Sequence, residues 1–140
     1  MNLTESSEPH LSEIVLREMA VMFVRCNDDV SKFGALWQDL ETRVGLKGRK
    51  FYGAFYEDAE EYRACVLQMP DDDPGALELE VGSLPGGTYL RARIRGEAPQ
   101  IYEKIEPTFQ FMFQCAQRDL SRPQIEFYRS HGEIDCLMPI

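Results

Sequence analysis

Glu126 is a single carboxylate among apolar and aromatic residues in the segment Gln124 to Arg129. Alternation along a strand puts Ile125 and Phe127 on one face and Glu126 with Tyr128 on the other. A glutamate on an outward face is ordinarily solvated and has no further role. If this face instead lines an apolar cleft, the carboxylate supplies charge and the aromatic rings supply stacking and cation–π contacts. Such a site would suit a lipophilic cation.

The other reactive residue types do not form a recognisable site. The sequence has no C-x-x-C spacing, and its few thiols and imidazoles are Cys26, Cys65, Cys115, Cys136, His10 and His131. We therefore predict no metal site, no nucleophilic triad or dyad, and buried free thiols in a reducing compartment. The glycine-rich loop 82–87 lacks a G-K-[ST] ending and precedes a strand, so it does not predict a phosphate cradle. We expect no cofactor.

Charge and hydropathy exclude several classes of partner. The 140 residues include 15 Lys and Arg against 24 Asp and Glu, a net charge of −9, which opposes binding to a phosphate backbone. The basic residues Lys47, Arg49 and Lys50 share a glycine-rich turn typical of a solvated loop. No apolar run approaches the roughly 18 residues of a membrane span, and residues 1–12 form a polar leader unlike a secretory signal. We expect a cytoplasmic protein with no nucleic-acid or membrane partner.

The elements that position Glu126 fall into two segments of similar order. In the first, Asn27 to Asp29 can cap a helix whose apolar residues recur every three or four positions, and Gly45 can end it. An acidic loop with two prolines, residues 70–75, follows the segment. The predicted order is strand, helix, strand and strand, at residues 13–26, 30–44, 51–56 and 62–69.

The second segment repeats that order after one additional strand. Pro99 is placed for the first turn of a helix, and Pro107 predicts a break just before it. The predicted elements are strands 77–81 and 88–95, a helix from residue 97 to about 116, and strands 124–129 and 134–140.

Short sequence matches accompany the repeated order. Phe55-Tyr56 aligns with Phe127-Tyr128, which makes Ala54 the position of the first half that corresponds to Glu126, and Cys65 aligns with Cys136. Each half has one amphipathic helix and too few strands to stand alone, so pairing them would bury a shared core. We predict a single α+β domain over residues 13–140, with halves 13–70 and 77–140 that form an antiparallel sheet with two helices. The seam between the halves predicts a central cleft with pseudo-two-fold symmetry.

The chain resembles the gyrase-inhibitor-like (GyrI-like) small-molecule-binding domains, which also occur as effector-binding modules of AraC-type and multidrug-responsive regulators. The resemblance rests on Leu84-Pro85-Gly86-Gly87-Thr88-Tyr89, on Arg95-Gly96, on Glu126-Phe127-Tyr128 and on Leu137-Met138-Pro139-Ile140. It covers residues 13–140. It implies the two-half fold and a cleft in which Glu126 recognises cationic or drug-like compounds. The aromatic ligand-binding residues that it implies are Tyr128, Trp37, Tyr89, Tyr52 and Phe113.

Two other functions remain open. Some members of the resembled family hydrolyse the cyclopropane ring of DNA-alkylating natural products, and Glu126 would then orient or deprotonate water. A gyrase-inhibitor-type role, in which an acidic surface contacts a protein partner such as gyrase, is the second alternative.

No helix-turn-helix precedes or follows the domain, so we expect a stand-alone module of a bacterial type rather than a DNA-binding regulator. Burial should raise the pKa of Glu126.

Overall fold

The computed structural model describes residues 8–140. The first repeat contains four strands and two helices. In chain order, they are β1 (Leu11–Leu16), β2 (Met19–Asn27), α1 (Val30–Val44), β3 (Phe51–Tyr56), β4 (Glu61–Leu67) and the short α2 (Pro74–Leu77). Asp29 caps α1 by accepting a hydrogen bond from the Ser31 amide, and Gly45 ends the helix at a φ of 76°.

The second repeat has the same order of strands and long helix. Its elements are β5 (Glu80–Leu84), β6 (Gly87–Arg95), a 3₁₀ helix (Gln100–Lys104), α3 (Ile105–Cys115), β7 (Gln124–Ser130) and β8 (Glu133–Pro139). The 3₁₀ helix gives way to α3 just before Pro107, which confirms the predicted break. Pro107 itself lies in the first turn of α3, where its missing N–H removes no helical hydrogen bond.

All eight strands form one antiparallel sheet in the order β1-β6-β8-β7-β3-β4-β2-β5. Read outward from the central pair, β7-β8-β6-β1 mirrors β3-β4-β2-β5. The first strand of each repeat therefore crosses to the sheet of the other repeat: β1 pairs with β6, and β5 pairs with β2. This exchange joins the two halves into a single fold.

The sheet curls around one of its faces. Every strand contributes to an apolar cluster on that face, through Ile14, Val21, Tyr52, Cys65, Leu84, Tyr89, Ile125 and Leu137 among others. Since β1 and β5 end the sheet on opposite sides, they can share this cluster only if the sheet bends. We call this side the inner face.

Both long helices pack on the opposite side, which we call the helix face. Leu40 of α1 covers residues of β2 and β4, and Phe109 and Met112 of α3 cover residues of β6 and β8. The central strands β3 and β7 lie between the two helices, so side chains on their helix face point into the seam of the molecule. No helix among residues 8–140 is long and apolar enough to cross a membrane.

Several predicted boundaries are wrong. Leu11 and Ser12, assigned to the polar leader, already belong to β1, and the predicted strand 13–26 is two strands because the chain must cross from one half of the sheet to the other. Residues 74–77, assigned to a loop and a strand, form α2 because Asp73 caps the Ala76 amide and Pro74 opens the turn. Gly82 to Leu84 pair with β2 and extend β5 into the predicted glycine loop.

The internal alignment is wrong by one residue. The sheet register pairs Gly53, not Ala54, with Glu126 across the seam. Ala54 packs in the inner-face cluster, whereas Glu126 shares its face with Tyr128, which packs against the α3 side. If corresponding residues of the two halves are to lie on the same face of the sheet, Gly53 rather than Ala54 corresponds to Glu126. An alignment shifted by one residue assigns every side chain to the opposite face. Cys65 and Cys136 likewise face opposite sides of the sheet.

Candidate functional site

The carboxylate of Glu126 is held by two phenols on the helix face. Its Oε1 accepts one hydrogen bond of 2.6 Å from the Tyr128 hydroxyl and another of 3.0 Å from the Tyr62 hydroxyl. Tyr128 lies two residues farther along β7, and Tyr62 lies on β4, beyond β3. The carboxylate must therefore reach across β3 to meet Tyr62.

Gly53 on β3 makes that reach possible. A Cβ at Gly53 would lie 2.5 Å from Oε1 of Glu126, and closer still to the hydroxyl oxygen of Tyr62. Both contacts are too short for a real side chain. Glycine is thus required here for close approach rather than for a left-handed backbone.

Helix α1 fixes the position of Tyr62 from above. Trp37 Nε1 donates a hydrogen bond of 3.1 Å to the Tyr62 hydroxyl, and the Phe33 ring stacks on the Tyr62 ring with centroids 3.9 Å apart. Phe33 and Trp37 lie one helical turn apart, so the helix presents both to the sheet. The Tyr62 hydroxyl oxygen accepts from Trp37, and its O–H donates to Glu126. We call Glu126, Gly53, Tyr62, Tyr128 and Trp37 the glutamate cluster.

Aromatic rings from both halves meet over the seam. The Trp37 ring meets the Tyr128 ring edge-on at 5.1 Å and the Phe51 ring at 6.0 Å. From the second half, Tyr102 of the 3₁₀ helix approaches Tyr128 at 6.4 Å. The seam where the sequence predicts a cleft thus holds aromatic side chains in contact, and Tyr102 remains half exposed at its rim.

The Glu126 carboxylate of the cluster has no positively charged partner. Burial raises the pKa of the Glu126 carboxyl, and the hydrogen bonds from Tyr128 and Tyr62 offset only part of that rise. Burial, reinforced by the charge of Glu126, raises the pKa of both tyrosines well above their ordinary value, so both remain protonated donors. No basic residue contributes to the pKa of Glu126. The raised pKa agrees with the prediction from sequence.

The predicted site residues separate into two groups. Trp37 and Tyr128 join Glu126 in the cluster, and Phe113 packs on the same face in the apolar cluster that includes Tyr128. Tyr52 and Tyr89 lie on the inner face instead.

Both inner-face tyrosines have structural partners of their own. Tyr52 stacks on Phe127 with ring centroids 4.7 Å apart. Tyr89 is fully buried, and its hydroxyl donates a 2.6 Å hydrogen bond to the Pro85 carbonyl. Alternation separates both residues from the glutamate cluster by the thickness of the sheet.

Sequence reasoning missed Tyr62, Gly53 and Tyr102. Their local patterns favour packing or surface roles for Tyr62 and Tyr102. Tyr62 alternates with Ala64 and Val66 on β4, a pattern that indicates a buried face, but the link to Glu126 depends on a register between strands 64 residues apart. A glycine between Tyr52 and Ala54 inside a strand was the available signal, because it marks a close approach.

Within residues 8–140 no group of three or more His, Cys, Asp and Glu residues could hold a metal ion. The cysteines are unpaired thiols, of which Cys65 and Cys136 are buried and Cys115 is exposed. Burial raises the pKa of the Cys65 thiol to about 12, so this thiol is not a nucleophile at neutral pH.

Comparison with known proteins agrees with the fold. The profile of the family described as "GyrI-like small molecule binding domain" matches residues 9–135. No curated protein sequence matches the chain significantly.

Solved structures with low sequence identity share the architecture. An integron cassette protein from Vibrio cholerae is similar with a TM-score of 0.75 and 18% identity over 92% of this chain and 94% of the other. The protein SAV2435, solved with bound tetraphenylphosphonium, gives a TM-score of 0.68 and 15% identity over 93% of each chain. A protein described as a hydrolase from Listeria innocua gives 0.54 and 13% identity over 97% and 95%. These similarities concern the fold alone.

Proposed function

Since the chain belongs to the family of GyrI-like small molecule binding domains, we propose that it binds lipophilic cations at the glutamate cluster. The fold and family supply a small-molecule-binding domain, and a structural neighbour is bound to a lipophilic cation, tetraphenylphosphonium. The chemistry of residues at the seam supports the same class of ligand for this chain.

One observation carries the proposal: the Glu126 carboxylate has hydrogen-bond donors but no basic partner. A carboxylate moved from water into an aromatic site loses solvation, which the two phenol hydrogen bonds offset in part and which an opposite charge would offset further. Trp37, Tyr128 and Tyr102 provide ring faces that attract cations, and their rings bury apolar area. A cation that binds among these rings would compensate the carboxylate for the solvation that it has lost.

Trp37 offers a direct test because it is the single tryptophan of the chain. Titration with tetraphenylphosphonium should change its fluorescence, since a ligand at Glu126 must displace or contact its ring. The same titration on Glu126→Gln should show binding weakened about tenfold or more, as expected for loss of a partly desolvated charge. Glu13→Gln is the matched control, because Glu13 is exposed on β1 and the substitution changes net charge equally.

Three results would count against the proposal. They are no binding by wild type, equal binding by wild type and Glu126→Gln, or equal weakening in Glu13→Gln and Glu126→Gln. The last would indicate attraction by the overall charge of −9 rather than by a site.

A hydrolase is the second candidate, and it uses the same residue. A glutamate whose pKa is raised by burial, and which has no basic partner, has the properties of a general base toward water. In hydrolysis of a strained cyclopropane electrophile, Glu126 would accept a proton from water while Trp37 and Tyr128 hold the substrate. Incubation with a cyclopropane-bearing alkylating agent, followed by mass spectrometry, tests this: a product heavier by one water, formed by wild type but not by Glu126→Gln, would support it.

A gyrase-inhibitor-type role would depend on surface charge rather than on the glutamate cluster. Glu126→Gln should leave such an interaction intact, while added salt should weaken it steeply. Binding of gyrase by wild type and Glu126→Gln alike would support this alternative.

A further inference from the structure

The two oxygens of Glu126 are not equivalent. Both phenols donate to Oε1. Oε2 accepts no hydrogen bond from residues 8–140. The only buried side-chain nitrogen or oxygen in that range without a hydrogen-bond partner is Arg118 Nη1, so Oε2 retains some solvent-accessible area at the seam although the carboxyl as a whole is largely buried.

The neighbours of Glu126 cannot satisfy Oε2 themselves. The Trp37 N–H is already donated to Tyr62, and the Tyr62 and Tyr128 hydroxyl protons are donated to Oε1. The pKa values of both phenols are raised, so neither can deprotonate to change this pattern. Phe33 and Phe51, which complete the aromatic surroundings, have no polar hydrogen. The open oxygen is thus an acceptor whose donor must come from a ligand or from water.

We propose that the site selects cations that carry an N–H, namely protonated aliphatic amines attached to aromatic rings, over permanently charged cations of the same shape. This inference rests on the proposed function and deepens it. A quaternary ammonium or phosphonium group neutralises the carboxylate, but it strips water from Oε2 without replacing the lost hydrogen bond. A protonated tertiary amine supplies both the charge and one charge-assisted hydrogen bond, which is the stronger arrangement. A site built to accept a hydrogen bond rejects analogues that cannot donate one.

Matched ligand pairs test this selection. Imipramine, chlorpromazine and diphenhydramine are each compared with their own N-methyl quaternary salt, at pH 7, where the tertiary amines are protonated. Dissociation constants come from Trp37 fluorescence and calorimetry, with tetraphenylphosphonium as a donor-free reference. We expect the tertiary amine of a pair to bind about tenfold or more tightly, the contribution of one hydrogen bond to a charged group.

Glu126→Gln gives the decisive contrast. The two phenols require an acceptor, so the Gln carbonyl oxygen should occupy the Oε1 position and place the NH₂ group at the position of Oε2. The variant then presents a donor where wild type presents an acceptor, and the preference for the tertiary amine should disappear. Glu13→Gln, which leaves the cluster unchanged, should retain it.

The outcomes separate this inference from the proposed function. A tenfold preference in wild type that is lost in Glu126→Gln supports the inference. Equal or tighter binding of the quaternary salts, or binding of tetraphenylphosphonium without binding of any tertiary amine, overturns the inference and leaves the proposed function standing. Absence of binding for every cation, tetraphenylphosphonium included, overturns both.

Discussion

A methyl group added at Gly53 should break the glutamate cluster while leaving the sheet in place. Gly53 has no positive φ, so alanine fits its backbone without strain. The new Cβ would lie 2.5 Å from Glu126 Oε1, whereas ordinary contact begins at 3.4 Å. The difference, 3.4 − 2.5, means that the carboxylate must move by about 1 Å, and the Tyr62 hydroxyl by a similar amount.

The energetic cost follows from the bond that is lost. The Tyr62 to Glu126 hydrogen bond measures 3.0 Å and has a charged acceptor, so its loss costs about 1.5–3 kcal/mol. Replacing glycine by alanine within a strand returns about 0.5–1 kcal/mol. We therefore expect Gly53→Ala to lower the free energy of unfolding by about 1–2 kcal/mol, which lowers Tm by roughly 3–7 °C in a domain of this size.

The assay is urea unfolding at pH 7, followed by Trp37 fluorescence and by circular dichroism. A double-mutant cycle with Glu126→Ala isolates the clash with the carboxylate, because it removes one of the two short contacts that the methyl group makes and leaves the one with the Tyr62 hydroxyl. Gly53→Ala should cost less in the Glu126→Ala background than in wild type. Gly34→Ala on α1 is the control, since a Cβ there meets nothing within 4 Å and should stabilise the helix by about 1 kcal/mol.

Two results would refute this reasoning. If Gly53→Ala leaves stability unchanged, the carboxylate does not cross β3 as described. If it costs the same with and without the Glu126 side chain, the loss comes from the backbone or from Tyr62 alone. The variant should also weaken binding of tetraphenylphosphonium if the cluster is the ligand site.

Three further predictions concern single side chains. The pKa of Glu126 in the native state lies above its ordinary value of 4.5, so between these two pKa values the native state binds more protons than the unfolded state. The free energy of unfolding therefore falls as pH rises from 4.5 through the native pKa. Glu126→Gln, which cannot ionise, should therefore be more stable than wild type at pH 7, by about 1.4 kcal/mol for each pKa unit by which folding raises the pKa of Glu126. In urea unfolding this gain should vanish below about pH 4.5. Asp72→Ala should cost about 3 kcal/mol in the same assay, because it leaves the partly buried Arg49 without its two 2.7 Å hydrogen bonds; an exposed pair would cost less than 1 kcal/mol. Asp29→Ala should lower the urea midpoint because the Ser31 amide loses its cap, and Asp29→Asn should restore most of the loss.

Local pattern was sufficient for much of this fold and for one side of its site. Helix spacing and Gly45 define α1, and strand alternation alone places Glu126 and Tyr128 on one face. Both inferences use residues that are neighbours in sequence, where 3.6- and 2-residue periods directly report direction. These are the features that a single strand or helix determines by itself.

The remainder depends on pairing between distant strands. Gly53, Tyr62 and Glu126 meet only because β3 lies between β4 and β7, and the sequence does not specify that register. The internal match of Phe55-Tyr56 to Phe127-Tyr128 misaligned the halves by one residue, which reversed the face of every side chain. Tyr52, which the family resemblance implies as a ligand-binding residue, lies one residue before Gly53 and therefore faces away from the glutamate cluster.

The exchange of first strands between the repeats has a consequence for synthesis of the chain. When β1 leaves the ribosome, its partner β6 is still about 70 residues from being made, and β2 likewise waits for β5. Folding that requires contacts so far apart in sequence is slow, because loop closure precedes any gain from pairing. The first repeat therefore emerges with its outer strand unpaired and cannot finish its sheet alone. The half-sheet β3-β4-β2-β5 needs β5 from the second repeat, and the half-sheet β7-β8-β6-β1 needs the last hairpin, so neither repeat completes a half-sheet with its own strands alone.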